Sequence, residues 1–222
     1  LYLSGDEAGV PALWSVGASG GAPHRVRTGV TAASIAPTGA LAYLQPEPGE
    51  GLSLWIARGA GSPATQRYAQ GDWGRRSFSR GYLAFSPDGK SIGVWLATLS
   101  GPSEFWVLPY PTGQPRRAFT LEDGVYPFHW MPDGRRILFG GALPGSIGCD
   151  LHIADIESGR FLSITKTTQE AEQPAISPDS KEIVFTVAER DFDLLQFSAA
   201  DPILKPLVTT SRSEFSPAWS PV

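Results

Sequence analysis

A short turn-forming phrase recurs five times along this 222-residue chain, and its spacing limits the folds that the chain can adopt. The copies are APTG at 36–39, SPDG at 86–89, MPDG at 131–134, SPDS at 177–180 and SP at 220–221. Their prolines lie 50, 45, 46 and 43 residues apart. Proline presets the φ of the second turn position, and Asp and Gly suit the positions that follow. Each copy therefore predicts a turn that joins two antiparallel strands.

Apolar runs flank the turn phrase in a regular order. Around the second copy, one run precedes the turn at 82–85, and three more follow it at 92–96, 104–108 and 115–119. A similar succession of runs accompanies the other copies. Four short strands in each period of about 45 residues are typical of a β-propeller blade.

The phrase FSPDGK at 85–90, followed by an apolar strand, resembles the repeat of TolB-like β-propellers, which are relatives of the Trp-Asp repeat proteins. The resemblance covers the whole chain, although Thr38 replaces Asp in the first copy and Ser180 replaces Gly in the fourth. It implies a bacterial type of propeller. Such domains occur as periplasmic envelope proteins and as sensor or scaffold domains of signalling proteins, including Ser/Thr kinases and winged-helix regulators. The resemblance alone therefore favours a periplasmic or other extracytoplasmic location.

The two ends of the chain complement each other as strands. Residues 1–4 are typical of the second strand of a blade, and residues 217–220 are typical of a first strand. We therefore predict one all-β domain over residues 1–222, a β-propeller of five four-stranded antiparallel blades closed by the C-terminal strand completing the first blade. Closure of this kind leaves no unpaired central edge. A six-bladed ring and an open segment of a larger ring are the alternatives, and the incomplete start fits a domain cut from a longer protein.

The chain has enough apolar material for a packed core, with 41% hydrophobic residues, 7 Trp, 11 Phe and 6 Tyr. Disorder is excluded on that ground. Alternation along the predicted strands selects the side chains that face the interior. The predicted core contains Leu83, Phe85, Val94, Leu96, Trp106, Ile137, Phe139, Ile153, Val184, Phe185 and Trp219.

Charge and composition exclude several kinds of partner. A net charge of −4 argues against nucleic acid, because such binding needs a positive field. No apolar run approaches the roughly 18 residues of a membrane span, so direct membrane insertion is not expected. Three histidines and a single cysteine, Cys149 of unassigned role, are too few to predict a metal site or a disulfide. We expect no cofactor and a monomer.

Two sequence patterns raise the question of catalysis. GASGG at 17–21 matches the G-x-S-x-G nucleophile elbow, but no helical pattern follows it, and a turn between strands is the better interpretation. Asp150 and His152 lie on one side of a predicted strand, where a catalytic dyad and a cross-strand polar pair are equally compatible with the spacing. Neither pattern predicts an enzyme.

The segment 71–81 is the most unusual part of the chain, with three Arg and two aromatic residues that lengthen the second blade. Arg and Trp are enriched at binding hot spots. In a propeller, the loops from fourth to first strands and from second to third strands gather on one face. We therefore predict a surface for a protein or peptide partner. The candidate binding residues include His129, which lies on a predicted innermost strand. The full set is Trp73, Arg75, Arg76, Arg80, His129, Arg190, Asp191 and Arg212.

A structural interpretation competes with that surface. Trp73 and Phe78 would then anchor the long segment against its own blade. The arginine pairs at 116–117 and 135–136 are interpreted as strand and turn ends with solvated heads and packed stems.

The sequence favours a non-catalytic scaffold or sensor module that binds a protein or ligand and is attached to a bacterial signalling or envelope protein. One alternative is the substrate-gating propeller of a prolyl-oligopeptidase-type peptidase. A weaker alternative is a propeller lyase or hydrolase, which needs His and acidic side chains converging on a central channel. The fold by itself does not decide among them.

Overall fold

The computed structural model describes residues 2–7, 9–47, 51–63, 65–68, 73, 80–97, 101–122, 124, 126–144, 148–166, 170–177, 179–188, 194–198 and 201–208. The chain divides into two compact units, residues 1–187 and residues 188–222. In the described ranges the regular elements are β-strands, and neighbouring strands within each sheet run antiparallel.

The first unit is a series of antiparallel sheets whose strands follow one another along the chain. The first sheet has three strands, β1 (Tyr2–Glu7), β2 (Val10–Ser15) and β3 (His24–Thr28). The second contains β4 (Ala32–Ile35), β5 (Leu41–Glu47), β6 (Gly51–Ala57) and β7 (Thr65–Arg67). The third contains β8 (Arg80–Phe85), β9 (Ser91–Ala97), β10 (Ser103–Pro109) and β11 (Arg116–Leu121).

The fourth sheet contains β12 (Phe128–Trp130), β13 (Arg136–Gly141), β14 (Asp150–Asp155) and β15 (Phe161–Ser163). The fifth consists of two strands, β16 (Glu170–Ile176) and β17 (Ile183–Ala188). In the second unit, β18 (Leu194–Ser198) and β19 (Asp201–Val208) form an antiparallel hairpin.

The first four copies of the repeated phrase each join the first and second strands of a sheet, as predicted. In the second copy the Gly89 N–H donates to the Ser86 carbonyl at 2.8 Å, and Gly89 has a φ of +69°. Asp88 accepts the Lys90 N–H at 3.0 Å, and the Ser86 hydroxyl donates to Asp88 at 2.7 Å. These bonds, the backbone N–H of Lys90 first and then the Ser86 hydroxyl, lower the pKa of Asp88. The turn is therefore held by its own side chains.

The core lies between successive sheets. Consecutive residues of β9 alternate between two layers: Val94 and Leu96 pack toward the second sheet, and Trp95 packs toward the fourth. Trp95 is fully buried, with ring contacts to Phe105 and Phe139 at centroid distances of 5.8 and 4.8 Å. A strand buried on both faces in this way needs a sheet on each side. The second and fourth sheets cover the two faces of β9.

Hydrogen bonds also cross between sheets. The Trp130 indole N–H of the fourth sheet donates to the Ala84 carbonyl of the third at 3.0 Å. The Phe85 N–H of the third sheet donates to the Ser34 hydroxyl of the second at 2.9 Å. Because these groups are partly buried, each pair would be costly to leave unsatisfied.

Most of the predicted core is confirmed. Among the described residues, the buried members are Leu83, Phe85, Val94, Leu96, Trp106, Ile137 and Phe139. Ile153 is half-buried, and Trp219 lies outside the described residues.

The prediction is wrong for Val184 and Phe185 on β17, which are 69% and 41% exposed. Adjacent strand residues point to opposite faces, so both faces of β17 are open here. Within the described part of the first unit, β17 pairs with β16 and with no further strand. The apolar pattern of the sequence reports which residues are apolar, and it does not report how far each of them is covered.

The all-β class and the four-stranded antiparallel sheets are confirmed. The number of blades, ring closure and the single domain over 1–222 stay predictions. The segment 217–220, on which closure depends, lies outside the described residues.

Candidate functional site

Trp73, the central residue of the predicted binding surface, is buried. Its exposed fraction is 3%, and its ring makes edge contacts with Trp106 and Tyr68 at centroid distances of 5.9 and 6.5 Å. Tyr68 also donates its hydroxyl to the Pro109 carbonyl at 3.1 Å, and burial raises the pKa of Tyr68 to about 12. Trp73 therefore has little side-chain surface to offer a partner, which fits the alternative in which it anchors the long segment.

The described structure contains two of the remaining residues of the predicted surface, Arg80 and His129. Arg80 is exposed at the start of β8. His129 is exposed on β12, with Nδ1 3.0 Å from the Trp130 carbonyl oxygen. The other five, Arg75, Arg76, Arg190, Asp191 and Arg212, lie outside the described residues. That surface stays a prediction.

The G-x-S-x-G sequence forms a turn. The Gly20 N–H donates to the Gly17 carbonyl at 3.0 Å, and Ser19 is exposed between β2 and β3. A strand follows this turn, whereas the nucleophile elbow needs a helix there.

His152 is a buried histidine with both ring nitrogens engaged. Nε2 lies 2.9 Å from the Gly141 carbonyl oxygen, so Nε2 carries the proton and donates. Nδ1, 3.0 Å from the Ser163 hydroxyl, then accepts. Burial lowers the pKa of His152, which keeps the ring neutral. His152 therefore links β13, β14 and β15 as a structural polar group.

Asp150, on the same strand, is also held in the sheet. Its Oδ1 accepts the Thr165 hydroxyl at 3.1 Å, and the Thr165 oxygen accepts the Leu151 N–H at 2.9 Å. These contacts support the cross-strand polar interpretation of Asp150 and His152. In the described part of the chain there is no cluster of three or more metal-binding side chains, and no helix has the length and apolarity of a membrane span.

An open pocket of about 470 Å³ lies at one end of the fourth sheet. We call it the basic pocket. It is lined by Arg135, Arg136, Ile153, Asp155, Ser158, Arg160, Phe161 and Leu162.

Two neighbouring turns build the basic pocket. The MPDG turn ends at Gly134 and places Arg135 and Arg136 at the start of β13. The turn from β14 to β15 returns beside it, and the Ile156 N–H donates to the Arg135 carbonyl at 3.1 Å. Asp155 holds this second turn by accepting two backbone N–H groups at 2.9 Å, those of residues 157 and 158. Local turn chemistry thus fixes where the arginines emerge.

Two of the three arginines that line the basic pocket form ion pairs with carboxylates. Arg135 binds Asp155 at 2.7 Å and Glu157 at 3.3 Å, and Arg136 binds Asp133 at 2.5 Å. The backbone N–H of Ser158, followed by the Arg135 guanidinium, holds the pKa of Asp155 far below its usual range. Arg160 is different, because its guanidinium makes no hydrogen bond or ion pair with the described residues. Among the described residues, Arg135 therefore shares two carboxylates, and Arg160 is the pocket arginine without a carboxylate partner.

An apolar surface adjoins that charge. Ile153 and Leu162 are register partners on β14 and β15, so their side chains lie on the same face. Leu162 is 62% exposed, whereas Phe161 contacts Phe119 at a centroid distance of 5.0 Å. A cation beside an exposed aliphatic side chain suits a ligand that has both a carboxylate and an apolar group.

Sequence reasoning overlooked this site. It interpreted the pair at 135–136 as solvated ends and did not single out Arg160. The available signal was positional, because Arg135 and Arg160 both directly follow a turn at the same end of one predicted sheet.

Solved structures resemble this chain in fold. TolB from Acinetobacter baumannii matches with a TM-score of 0.67 and 20% identity, over 85% of this chain and 46% of that chain. A putative TolB from Agrobacterium tumefaciens matches with a TM-score of 0.66 and 18% identity, over 92% of this chain and 76% of that one. The chain thus spans less than half of the first TolB and about three quarters of the second.

An oligogalacturonate lyase in complex with manganese matches more weakly, with a TM-score of 0.54 and 12% identity over 79% of this chain and 50% of that chain. No protein-family model and no curated protein matches the chain. The structural matches show a TolB-like β-propeller fold, in agreement with the resemblance seen in the repeated phrase.

Proposed function

We propose that this chain is a non-catalytic β-propeller module that binds a protein or peptide partner. The observation that carries the proposal is the basic pocket, where Arg160, which has no charged partner among the described residues, adjoins the exposed Leu162. A rigid stack of sheets holds both residues, so little ordering is required when a ligand binds. A site with charge, apolar surface and rigidity is suited to recognition.

The groups that could carry chemistry support a non-catalytic role. His152 is buried with both nitrogens bonded, and Asp150 is tied to Thr165. A general base must reach the proton that it removes, and a buried, fully bonded imidazole cannot do so without breaking these bonds. Ser19 lies in a turn and is not positioned as a nucleophile elbow.

The proposal extends to the setting of the module, as part of a bacterial signalling or envelope protein. Support comes from the TolB-like fold, which this chain shares with TolB from Acinetobacter baumannii at a TM-score of 0.67. A partner site on an attached domain would connect the rest of such a protein to its target.

The test uses the full purified chain in two measurements. Proteins cross-linked to it from bacterial envelope and cytoplasmic fractions are purified individually, and their binding to the chain is measured by titration calorimetry. The same preparation is incubated with a panel of ester, peptide and polygalacturonate substrates. We expect saturable binding of at least one purified protein and no substrate turnover.

Turnover that co-purifies with the folded chain would overturn the non-catalytic proposal. Failure of every purified candidate to bind in calorimetry would overturn the partner-binding proposal.

A further inference from the structure

Resting on the proposed function, we propose that the basic pocket takes an extended acidic peptide segment of the partner protein. The segment adds as a strand to the outer edge of β15 and places a carboxylate on Arg160. This mode, β-strand addition, gains affinity from backbone hydrogen bonds and specificity from alternate side chains.

The hydrogen-bond pattern of β15 leaves that edge available. The Asp155 N–H donates to the Arg160 carbonyl at 3.0 Å, and the Ile164 N–H donates to the Leu151 carbonyl at 2.8 Å. In an antiparallel ladder, residues whose backbone groups bond to the neighbouring strand, here Arg160 and Ile164, alternate with residues whose N–H and C=O point away from that strand. The N–H and C=O of Phe161 therefore point away from β14, and those of Ser163 do the same. Among the described strands, β15 has no second partner.

The charge of the pocket determines the preferred side chain. Asp133 pairs with Arg136, and Asp155 and Glu157 both pair with Arg135. An incoming carboxylate would therefore bind the guanidinium of Arg160, which has no carboxylate partner among the described residues. Arg136 retains N–H donors beyond the Nε that binds Asp133, and its side chain is 46% exposed. Arginine offers carboxylates a planar, bidentate arrangement of donors. The pocket thus favours Asp or Glu over neutral residues.

The apolar face determines the spacing. Arg160 and Leu162 are two residues apart, so their side chains lie on the same face of the sheet. Residues directly opposite them on an added strand would share that face. The ligand therefore carries an Asp or Glu and an aliphatic residue two positions apart. The aliphatic side chain would cover Leu162 and Ile153.

The experiment measures binding of fluorescein-labelled peptides to the full chain by fluorescence anisotropy. The probe alternates Thr with one Glu and one Val, so that Glu and Val lie two positions apart. Matched peptides carry Gln for Glu, place Glu and Val next to each other, or have N-methylated backbones. The chain is used as wild type, Arg160→Gln, Leu162→Thr and Arg58→Gln. Arg58, exposed after β6 on another sheet, is the control for loss of one positive charge.

We expect the probe to bind more tightly than each matched peptide, and more weakly as NaCl is added. Arg160→Gln should weaken binding about five- to tenfold, as expected for loss of a charged hydrogen bond at a partly exposed site. Leu162→Thr should weaken it about threefold, and Arg58→Gln should leave it unchanged. Both pocket residues are exposed, so the variants should fold, which thermal unfolding checks.

Equal binding of the Glu and Gln peptides, or unchanged binding by Arg160→Gln, would overturn the inference. Displacement of the probe by free glutamate at the same concentration as by unlabelled probe would show a small-anion site and also overturn it. So would a crystal structure in which Leu162 is covered by another part of this chain. If a partner binds the full chain but ignores both pocket variants, the proposed function stands and this inference fails.

Discussion

The third and fifth sheets have nearly the same turn between their first and second strands, but the strands after the turn lie in different environments. The turn at 86–89 leads into β9, whose Val94, Trp95 and Leu96 are fully buried. The turn at 177–180 leads into β17, whose Val184 is 69% exposed. Both hairpins form, because the turn bonds and the antiparallel pairing are local. Burial differs because it depends on the sheets that pack on either side.

The largest loss of stability is expected for substitution of Trp95 in the third sheet. Trp95→Ala removes a fully buried ring that contacts Phe105, Phe139 and two further aromatic rings. We expect unfolding free energy to fall by about 3–5 kcal/mol, measured by urea denaturation. Phe185→Ala on β17 is the control, with an expected loss below about 1 kcal/mol. Similar losses at the two positions would show that β17 is as well packed as β9.

A matched valine pair compares the two sheets with the same chemical change. Val94→Thr puts a hydroxyl into a fully buried site, at an expected cost of about 1–3 kcal/mol. Val184→Thr places it at an exposed site, where the expected change is within about 0.5 kcal/mol. Urea denaturation of both variants measures the difference. A cost at Val184 equal to that at Val94 would contradict the open environment of β17.

The pH dependence of stability tests the buried polar network of the fourth sheet. Burial lowers the pKa of His152 in the folded state, so below the ordinary histidine pKa of about 6.5 the unfolded chain binds more protons than the folded chain. His152 should therefore contribute its full stability above about pH 6.5, and that stability should fall as the pH drops below this value. One proton limits the slope to about 1.4 kcal/mol per pH unit.

Urea denaturation between about pH 5 and pH 8 measures this effect. The His152→Gln variant should lose this part of the slope while carboxylate contributions remain. A slope that the variant retains would assign the pH dependence to other groups.

A reciprocal exchange of turn residues tests local backbone geometry and should have the smallest effect on stability. Gly89 and Ser180 hold the same position, with φ of +69° and +61°. Ser180→Gly should relieve a left-handed conformation and raise stability by about 0.5–1 kcal/mol. Gly89→Ser should lower it by at least about 1 kcal/mol, because a Cβ there would also lie 3.1 Å from Pro37. Thermal unfolding measures both variants, and changes of the same sign would contradict this account.

Prediction from sequence worked where an interaction is local or repeated. Residues 86–89 contain the side chains that close their own turn, so the hairpin could be predicted from four residues. Alternation identified Val94 and Phe139 as core residues, because a strand pattern reports which residues are apolar. The same reasoning misplaced Val184, since an apolar strand carries no information on whether a neighbouring sheet covers it.

The candidate site was harder to predict than the fold. Trp73 was expected on a surface, yet it fills a space beside Trp106, a residue 33 positions later in the chain. Arg160 was overlooked, because its importance depends on the pairing of Arg135 and Arg136 with carboxylates that leave Arg160 unpaired. Distances between side chains decide such questions.

The strand order, the positions of the turns and the repeated four-stranded sheet follow from the sequence, because these depend on backbone preferences and on side chains within a few residues. The folded chain was needed to show which apolar residues are buried, that His152 is a structural group, and that a charged and an apolar side chain meet at the end of the fourth sheet. Those outcomes depend on contacts between segments far apart in the chain. Their energies arise from desolvation and packing, which no short stretch of sequence contains.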